Sequence, residues 1–138
     1  MRVSRKKFLR WEVSALDSIG LMRGLLVAWN PLVVDFKPYY LCVGIMLLEG
    51  RLRGLELSIK LVNCYARFVG TKQLWEHVMD NGIFLDPNLI FCGDLNFTLS
   101  ASEVWGNIAK NDELSDFFIQ MLGDYNLVDI LPCKLSPT

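Results

Sequence analysis

The chain has 138 residues, a formal net charge of −1 and a hydrophobic fraction of 52%. This length is typical of one domain and is sufficient for a real core. The near-neutral charge argues against a broadly basic nucleic-acid-binding protein, and no apolar run reaches the roughly 18 residues that a membrane span requires. High apolar content without such a span favours strands covered on both faces, as in layered α/β folds.

Positive charge is concentrated at the start of the chain. Five of the 14 lysines and arginines lie in the first ten positions: Arg2, Arg5, Lys6, Lys7 and Arg10. Residues 1–10 are therefore interpreted as a basic N-terminal segment, either a solvated terminus or an arm that contacts phosphates. No continuous apolar segment follows, so the pattern is not that of a secretory signal.

Three strands are predicted in the first half of the chain. Residues 21–29 form an apolar run that ends at Asn30-Pro31, and residues 39–48 form a second run. Residues 55–65 alternate between apolar and polar positions and predict a third strand. The glycine-containing stretch 50–54 predicts a turn, and with it an antiparallel hairpin of the last two strands.

The second half of the chain alternates helices with a strand. Residues 71–81 predict a helix capped by Thr71, and residues 89–92 predict a strand. A second helix is predicted over residues 111–123, with Asn111 as its cap. Residues 126–131 are typical of a short strand or a turn. This order favours a mixed sheet with helices packed against it.

Cysteine, histidine and tryptophan give weaker signals. The chain has no Cys-x-x-Cys pair, which argues against a zinc site and against a disulfide framework. A reducing intracellular compartment is expected, nuclear or cytoplasmic. His77 is interpreted as an exposed residue of the first helix, and the tryptophans as core or rim packing residues: Trp11, Trp29, Trp75 and Trp105.

The sequence indicates a candidate catalytic site most clearly where the strand at 89–92 breaks at Gly93. Asp94 and Asn96 follow, and residues two apart in an extended chain point to the same side. A carboxylate beside a carboxamide at the end of a buried strand suits phosphate-ester chemistry, because one moves a proton and the other donates to a phosphate oxygen. The same residues also favour a simple turn.

Three segments in this order resemble the endonuclease/exonuclease/phosphatase superfamily. They are the glycine-rich segment 20–30, the segment 61–66 ending in Tyr65-Ala66, and the Gly-Asp-x-Asn signature within 90–96. The chain is most similar to the endonuclease domain of plant LINE-type (non-LTR) retrotransposons. Leu74-Trp75, residues 103–106 and residues 136–138 support this narrower placement.

The resemblance implies a four-layered α/β sandwich, in which two mixed sheets pack between flanking helices, and a Mg²⁺-dependent phosphodiesterase that nicks DNA. It implies that Asp94 orients or deprotonates the attacking water, or assists the leaving group, with a possible role as a metal ligand. It implies that Asn96 and Tyr65 contact the scissile phosphate, as catalytic and phosphate-binding residues.

Departures from the family pattern are also expected to matter. The family's N-terminal strands, with a metal-binding glutamate, and its C-terminal aspartate–histidine pair have no counterpart here. Residues 11–138 are therefore interpreted as an incomplete domain, a partial sandwich without its N- and C-terminal strands. Bulky or charged residues also replace the family's usual ones at Met22, Arg23, Arg67 and Phe68.

These departures predict a truncated, inactive remnant that binds Mg²⁺ weakly, because one carboxylate is a poor site. Self-association through exposed sheet edges is expected. Two alternatives stay open: a non-catalytic nucleic-acid-binding module, and another phosphoesterase of the superfamily that acts on a lipid or an inositol.

Overall fold

The computed structural model describes residues 3–8, 10–17, 24–66, 70–99 and 112–130. For residues 3–8 it describes the backbone alone. Within these ranges the strands are β1 Val3–Phe8, β2 Trp11–Leu16, β3 Leu25–Trp29, β4 Val34–Cys42, β5 Ile45–Leu52, β6 Leu57–Tyr65 and β7 Leu89–Asp94. The helices are α1 Thr71–Asp80, a short 3₁₀ helix Ile83–Leu85 and α2 Ser115–Asp124.

The chain divides into two compact units, Met1–Asn96 and Phe97–Thr138. The first unit contains the strands and α1, and the second contains α2. None of the helices in the described ranges is long and apolar enough to cross a bilayer.

Two sheets form the first unit. Strands β1, β2 and β3 make an antiparallel sheet in that order, and β4, β5, β6 and β7 make a second sheet in that order. The second sheet is mixed, since β4, β5 and β6 are antiparallel neighbours while β6 and β7 run parallel. A parallel pair needs a crossover connection, and α1 lies within that crossover. The expected α/β class is confirmed, because the described ranges contain two sheets, one of them mixed, and two α-helices.

A hydrophobic core lies between the two sheets. It contains Leu16, Leu25 and Trp29 from the first sheet and Val34, Phe36, Met46 and Leu48 from the second. The rings of Trp29 and Phe36 meet edge to face, with centroids 5.8 Å apart. These residues recur at every second position of their strands, as the period of a half-buried strand requires.

The opposite face of the second sheet is covered by aromatic side chains from the crossover. The Phe91 ring of β7 stacks on Phe84 with centroids 4.9 Å apart, and its centroid lies 5.7 Å from that of Trp75 on α1. Val78 of α1 and Val62 of β6 are also completely buried. Side chains from the crossover thus pack on this face at β6 and β7, while the core between the sheets covers the other face of β4, β5 and β6.

Two strand predictions are wrong in their details. Residues 39–48 do not form one strand, because the chain turns at Val43 and Gly44, where Gly44 adopts φ 85°. The β5–β6 hairpin is confirmed, but it turns at residues 53–56 instead of 50–54. Gly50 lies inside β5, where a β-carbon would meet the ring of Phe36.

Strands β1 and β2 are not predicted from the sequence. Val3–Phe8 pairs antiparallel with Trp11–Leu16, so residues 3–8 have a place in the first sheet. The division of the chain at residue 10 stays a prediction.

The helix α1 begins and ends close to the predicted positions. Its N-cap is Gly70 instead of Thr71, and it ends at Asp80, with Asn81 as the C-cap and Gly82 at φ 68°. The helix α2 begins at Ser115, four residues after the predicted Asn111. For residues 126–131, the structure favours the turn over the strand, since the part up to residue 130 carries no strand.

Several residues used for the resemblance lie outside the described ranges. They are residues 20–23, Arg67 and Phe68, residues 103–106 and residues 136–138, and the predicted helix cap Asn111 also lies outside these ranges.

Candidate functional site

Two parallel strands of the second sheet end side by side at the candidate site. In the register of β6 and β7, Asn63 pairs with Cys92, Cys64 with Gly93, and Tyr65 with Asp94. Paired residues of neighbouring strands share a face, so the Tyr65 and Asp94 side chains lie on the same face of the sheet. Tyr65 packs against the core between the sheets, which places both residues on the face turned towards the first sheet.

Backbone hydrogen bonds hold the ends of these strands together. The Ala66 N–H donates to the Asp94 carbonyl at 2.8 Å, and the Tyr65 N–H donates to the Gly44 carbonyl at 2.8 Å. The side-chain amide of Asn96 in turn donates to the Ala66 carbonyl. The chain after β7 is therefore tied back to the end of β6, and the three predicted site residues Tyr65, Asp94 and Asn96 lie together.

Asn96 reaches this position through a turn and not through an extended strand. Its backbone N–H donates to Asp94 Oδ1 at 3.2 Å, and its φ is 52°. Asparagine tolerates this left-handed conformation better than most residues. A simple turn and a phosphate-ester site are thus compatible interpretations of these residues, because the turn itself brings the Asn96 carboxamide to the strand ends. The expected extended geometry at residues 94–96 is wrong.

The burial of the site also differs from expectation. Phe91 of β7 is half-buried, whereas Ile90 and Cys92 are exposed, so β7 is not a fully buried strand. Asp94 is exposed, and Tyr65 and Asn96 are half-buried. Asp94 is therefore in contact with water, and not enclosed at the end of a buried strand as the sequence predicts.

Gly93 lets the two strands approach closely just before Asp94. Its φ is 112°, and a β-carbon there would lie 2.0 Å from the Cys64 carbonyl oxygen. The sequence pattern indicates only that the strand breaks at Gly93. The structure adds a reason, since a residue with a side chain cannot occupy this position without moving the backbone.

Sequence reasoning missed Asn63, which lies two residues before Tyr65 on the same face of β6. Its Nδ2 lies 3.5 Å from the Leu26 carbonyl oxygen in β3, and its Oδ1 lies 4.0 Å from Cys92 Sγ. The available signal was a polar residue at an otherwise apolar position of an alternating strand.

Next to this position, Cys64 is buried on the opposite face of β6. Burial raises the pKa of its thiol to about 12, with smaller contributions from the neighbouring Cys92, Asp94 and Cys42. The thiol is therefore protonated at neutral pH, which makes it a packing residue and not a nucleophile.

Among the described residues, no group of three or more His, Cys, Asp and Glu side chains is arranged to hold a metal ion. Asp94 supplies one exposed carboxylate at the strand ends. His77 lies exposed on α1, as predicted, with Nε2 3.3 Å from Asn81 Nδ2.

Comparison with known proteins relates the chain to solved structures. No family model matches the chain, and no curated protein matches it either. Among solved structures, the chain is similar to the "Endonuclease domain of TRAS1, a telomere-specific non-LTR retrotransposon", with a TM-score of 0.61 and 21% identity.

This match covers 86% of the present chain and 53% of that chain, so the present chain spans about half the length of its structural neighbour. The likeness shows the fold: the sheets and helices of this chain resemble those of a retrotransposon endonuclease domain.

Proposed function

We propose that the chain is a domain of the retrotransposon endonuclease type that contacts a DNA phosphate at the ends of β6 and β7, with weak or no nicking activity by itself. The observation that carries the proposal is the convergence of Tyr65, Asp94 and Asn96 at two paired strand ends. The fold that surrounds them is shared with an endonuclease domain. The narrower placement with plant LINE-type elements is supported by sequence segments alone.

Each residue has a distinct role in this proposal. The Asn96 amide and the Tyr65 hydroxyl donate hydrogen bonds to phosphate oxygens, where negative charge increases during hydrolysis. Asp94 accepts a proton from the attacking water or orients it. The backbone bonds between Ala66 and Asp94 keep the two strand ends in register while these side chains act.

Magnesium fits this site only in part. Mg²⁺ prefers oxygen ligands and is commonly held by one or two carboxylates together with substrate phosphates. Asp94 offers one such carboxylate in contact with solvent. A bound Mg²⁺ would neutralise charge on the phosphate, and with one protein carboxylate its affinity for the free chain is expected to be low.

Two features of the geometry support low activity. The Asn96 amide already donates to the Ala66 carbonyl, so a phosphate has to compete with the protein's own backbone for this donor. Releasing that bond costs on the order of 1 kcal/mol. Asp94 is exposed, so bulk water competes with a substrate for contact with its carboxylate.

Nicking of supercoiled plasmid by the purified chain with Mg²⁺ tests the proposal, with EDTA as one control and Asp94→Ala as the variant. Asp80→Ala is a matched control, because Asp80 is an exposed aspartate near the end of α1. We expect slow nicking at most, lost with EDTA and with Asp94→Ala but kept in Asp80→Ala. Vigorous nicking that survives Asp94→Ala would contradict the assigned site.

Binding and substrate choice separate the alternatives. If the folded chain binds DNA without nicking it, and affinity falls steeply with salt, the non-catalytic nucleic-acid-binding module is favoured. Hydrolysis of a soluble phosphoester, such as an inositol phosphate, without any action on DNA would favour another phosphoesterase of the superfamily. Loss of DNA affinity in a variant with Asn96→Ala would support the phosphate contact.

A further inference from the structure

We infer that Asn63 is a positioning residue that sets the placement of Tyr65 and Asp94 by bracing the end of β7 against β3. The inference rests on the proposed function for the role of the site, but the contacts on which it depends are independent of any activity. Asn63 itself is two residues from the site and is not proposed to touch the phosphate.

The first observation is the polarity of Asn63. On its face of β6 the neighbouring residues are Ile59, Leu61 and Tyr65, all packed against the core between the sheets. A carboxamide is costly in such surroundings unless its polar atoms find partners. Asn63 is half-buried, and it differs from these neighbours in carrying polar atoms that can contact other strands.

The second observation is that the carboxamide contacts both sheets. Its Nδ2 lies 3.5 Å from the Leu26 carbonyl oxygen in β3, which belongs to the first sheet. Its Oδ1 lies 4.0 Å from Cys92 Sγ in β7, which belongs to the second. Both distances are long for hydrogen bonds, so these contacts contribute little to the free energy of unfolding.

The third observation concerns shape. A β-carbon built on Gly93 would lie 2.9 Å from Asn63 Oδ1, so the Asn63 side chain fills the space beside the glycine backbone. Gly93 directly precedes Asp94, and Asn63 precedes Tyr65 by two residues. The Asn63 side chain therefore abuts the backbone just before Asp94, and Asn63 lies on the same strand as Tyr65. Side chains that pack against a site in this way fix its geometry.

The test reads the environment of Tyr65 directly. The chain contains four tyrosines, Tyr39, Tyr40, Tyr65 and Tyr125, so incorporation of 3-fluorotyrosine gives a small set of fluorine resonances. Tyr65→Phe assigns the Tyr65 resonance. In Asn63→Leu we expect this resonance to shift or broaden, while those of Tyr39 and Tyr40 on β4 keep their positions.

A matched control comes from the same strand face. Leu61→Met conserves volume at the neighbouring inward position of β6 and should leave the Tyr65 resonance unchanged. If Asn63→Leu does not fold, Asn63→Thr is measured in its place, since a β-branched residue suits a strand and is too short to reach both partners. An unchanged Tyr65 resonance in the folded variant would overturn the inference. So would a shift of all tyrosine resonances together, which indicates a general structural role.

Phosphate titration then links the inference to the site. With inorganic phosphate as the probe, we expect the Tyr65 fluorine resonance to respond at an about fivefold higher phosphate concentration in Asn63→Leu, the usual effect of one displaced hydrogen bond. If the parent chain shows no response to phosphate, the proposed function fails at this site. The ligand-free fluorine spectra still decide the role of Asn63.

Discussion

Gly93 is the residue at which the shape of the site depends most directly on the absence of a side chain. In Gly93→Ala, the new β-carbon would clash with the Cys64 carbonyl and φ would stay at 112°, so the strands must separate. We expect the free energy of unfolding, measured by urea denaturation, to decrease by about 3 kcal/mol.

Gly54→Ala is the matched control for Gly93. Gly54 has φ 83° but has open space around it, so the variant carries backbone strain without a clash. It should cost about 1 kcal/mol. Equal losses in the two variants would show that strain in φ, and not the close approach of β6 and β7, limits position 93.

Because the Cys64 thiol is buried, we predict that the stability of the chain decreases at alkaline pH. Burial raises the pKa of this thiol from 9.0 to about 12, so the folded state favours the protonated form. The corresponding stability is fully present below the unfolded pKa of 9.0 and is lost as the pH rises towards about 12. The urea midpoint should decrease more between about pH 7 and about pH 10.5 in the parent chain than in Cys64→Ala.

Because Cys92 is exposed, Cys92→Ala should change this pH dependence less than Cys64→Ala. If the urea midpoint of the parent chain decreases no more with rising pH than that of Cys64→Ala, the Cys64 thiol ionises freely in the folded state.

At the scale of elements, one side-chain hydrogen bond lies directly before the start of α2. The Leu114 N–H donates to Asp112 Oδ1 at 2.8 Å, just before the helix begins at Ser115. Asp112→Ala removes this acceptor and should destabilise the first turn by about 1 kcal/mol. Amide hydrogen exchange in Ser115–Asp124 is the measurement, and faster exchange near Ser115 is the expected result.

Gln120→Ala, on the exposed side of α2, is the control and should leave exchange unchanged or slower, since alanine favours helix. Exchange that is equally fast in both variants would contradict a capping role for Asp112.

Elements differ in how well the sequence predicts them. The helix α1 was predicted nearly to the residue, because its apolar stripe and its Asn81-Gly82 end are local signals. The β4–β5 pair was merged into one strand, because an apolar run gives no sign of where it turns. The position of the turn at Gly44 follows only from the antiparallel pairing of β4 with β5.

At the scale of the whole molecule, the first unit carries four exposed apolar residues in and beside two loops joined by Arg53, called here the apolar tip: Leu32, Val33, Leu55 and Leu57. Leu32 is 75% exposed and Leu55 is 71% exposed. Arg53 holds the two loops together, since its backbone N–H donates to the Val33 carbonyl at 2.8 Å and its side chain to the Pro31 carbonyl at 2.7 Å. Exposed apolar clusters of this kind favour association.

We therefore predict that self-association occurs through this tip and that Leu55→Lys weakens it. The expected sheet edge at residues 39–48 is a poorer surface, because β4 carries Pro38 and Lys37, residues that protect an edge. Sedimentation velocity over a range of concentrations is the measurement. Ile119→Lys, at a residue of the second unit that is 53% exposed, is the control. Equal association of both variants would exclude the tip.

For the candidate site, the sequence indicated Tyr65, Asp94 and Asn96 through a motif and its order in the chain. It did not indicate that Asn96 turns back onto Ala66, that Asp94 is exposed, or that Asn63 reaches β3. Those features depend on pairing between segments about 30 residues apart, which no local pattern encodes.

The sequence by itself thus determined the α/β class, most of the elements and the position of the candidate site at a strand end. Hydrophobic period and turn residues act over a few neighbours, and they are readable without a structure. Only the tertiary structure decided the strand register, the close approach at Gly93 and the burial of each site residue. These depend on which strands become neighbours, and that choice is made by the packing of the whole core.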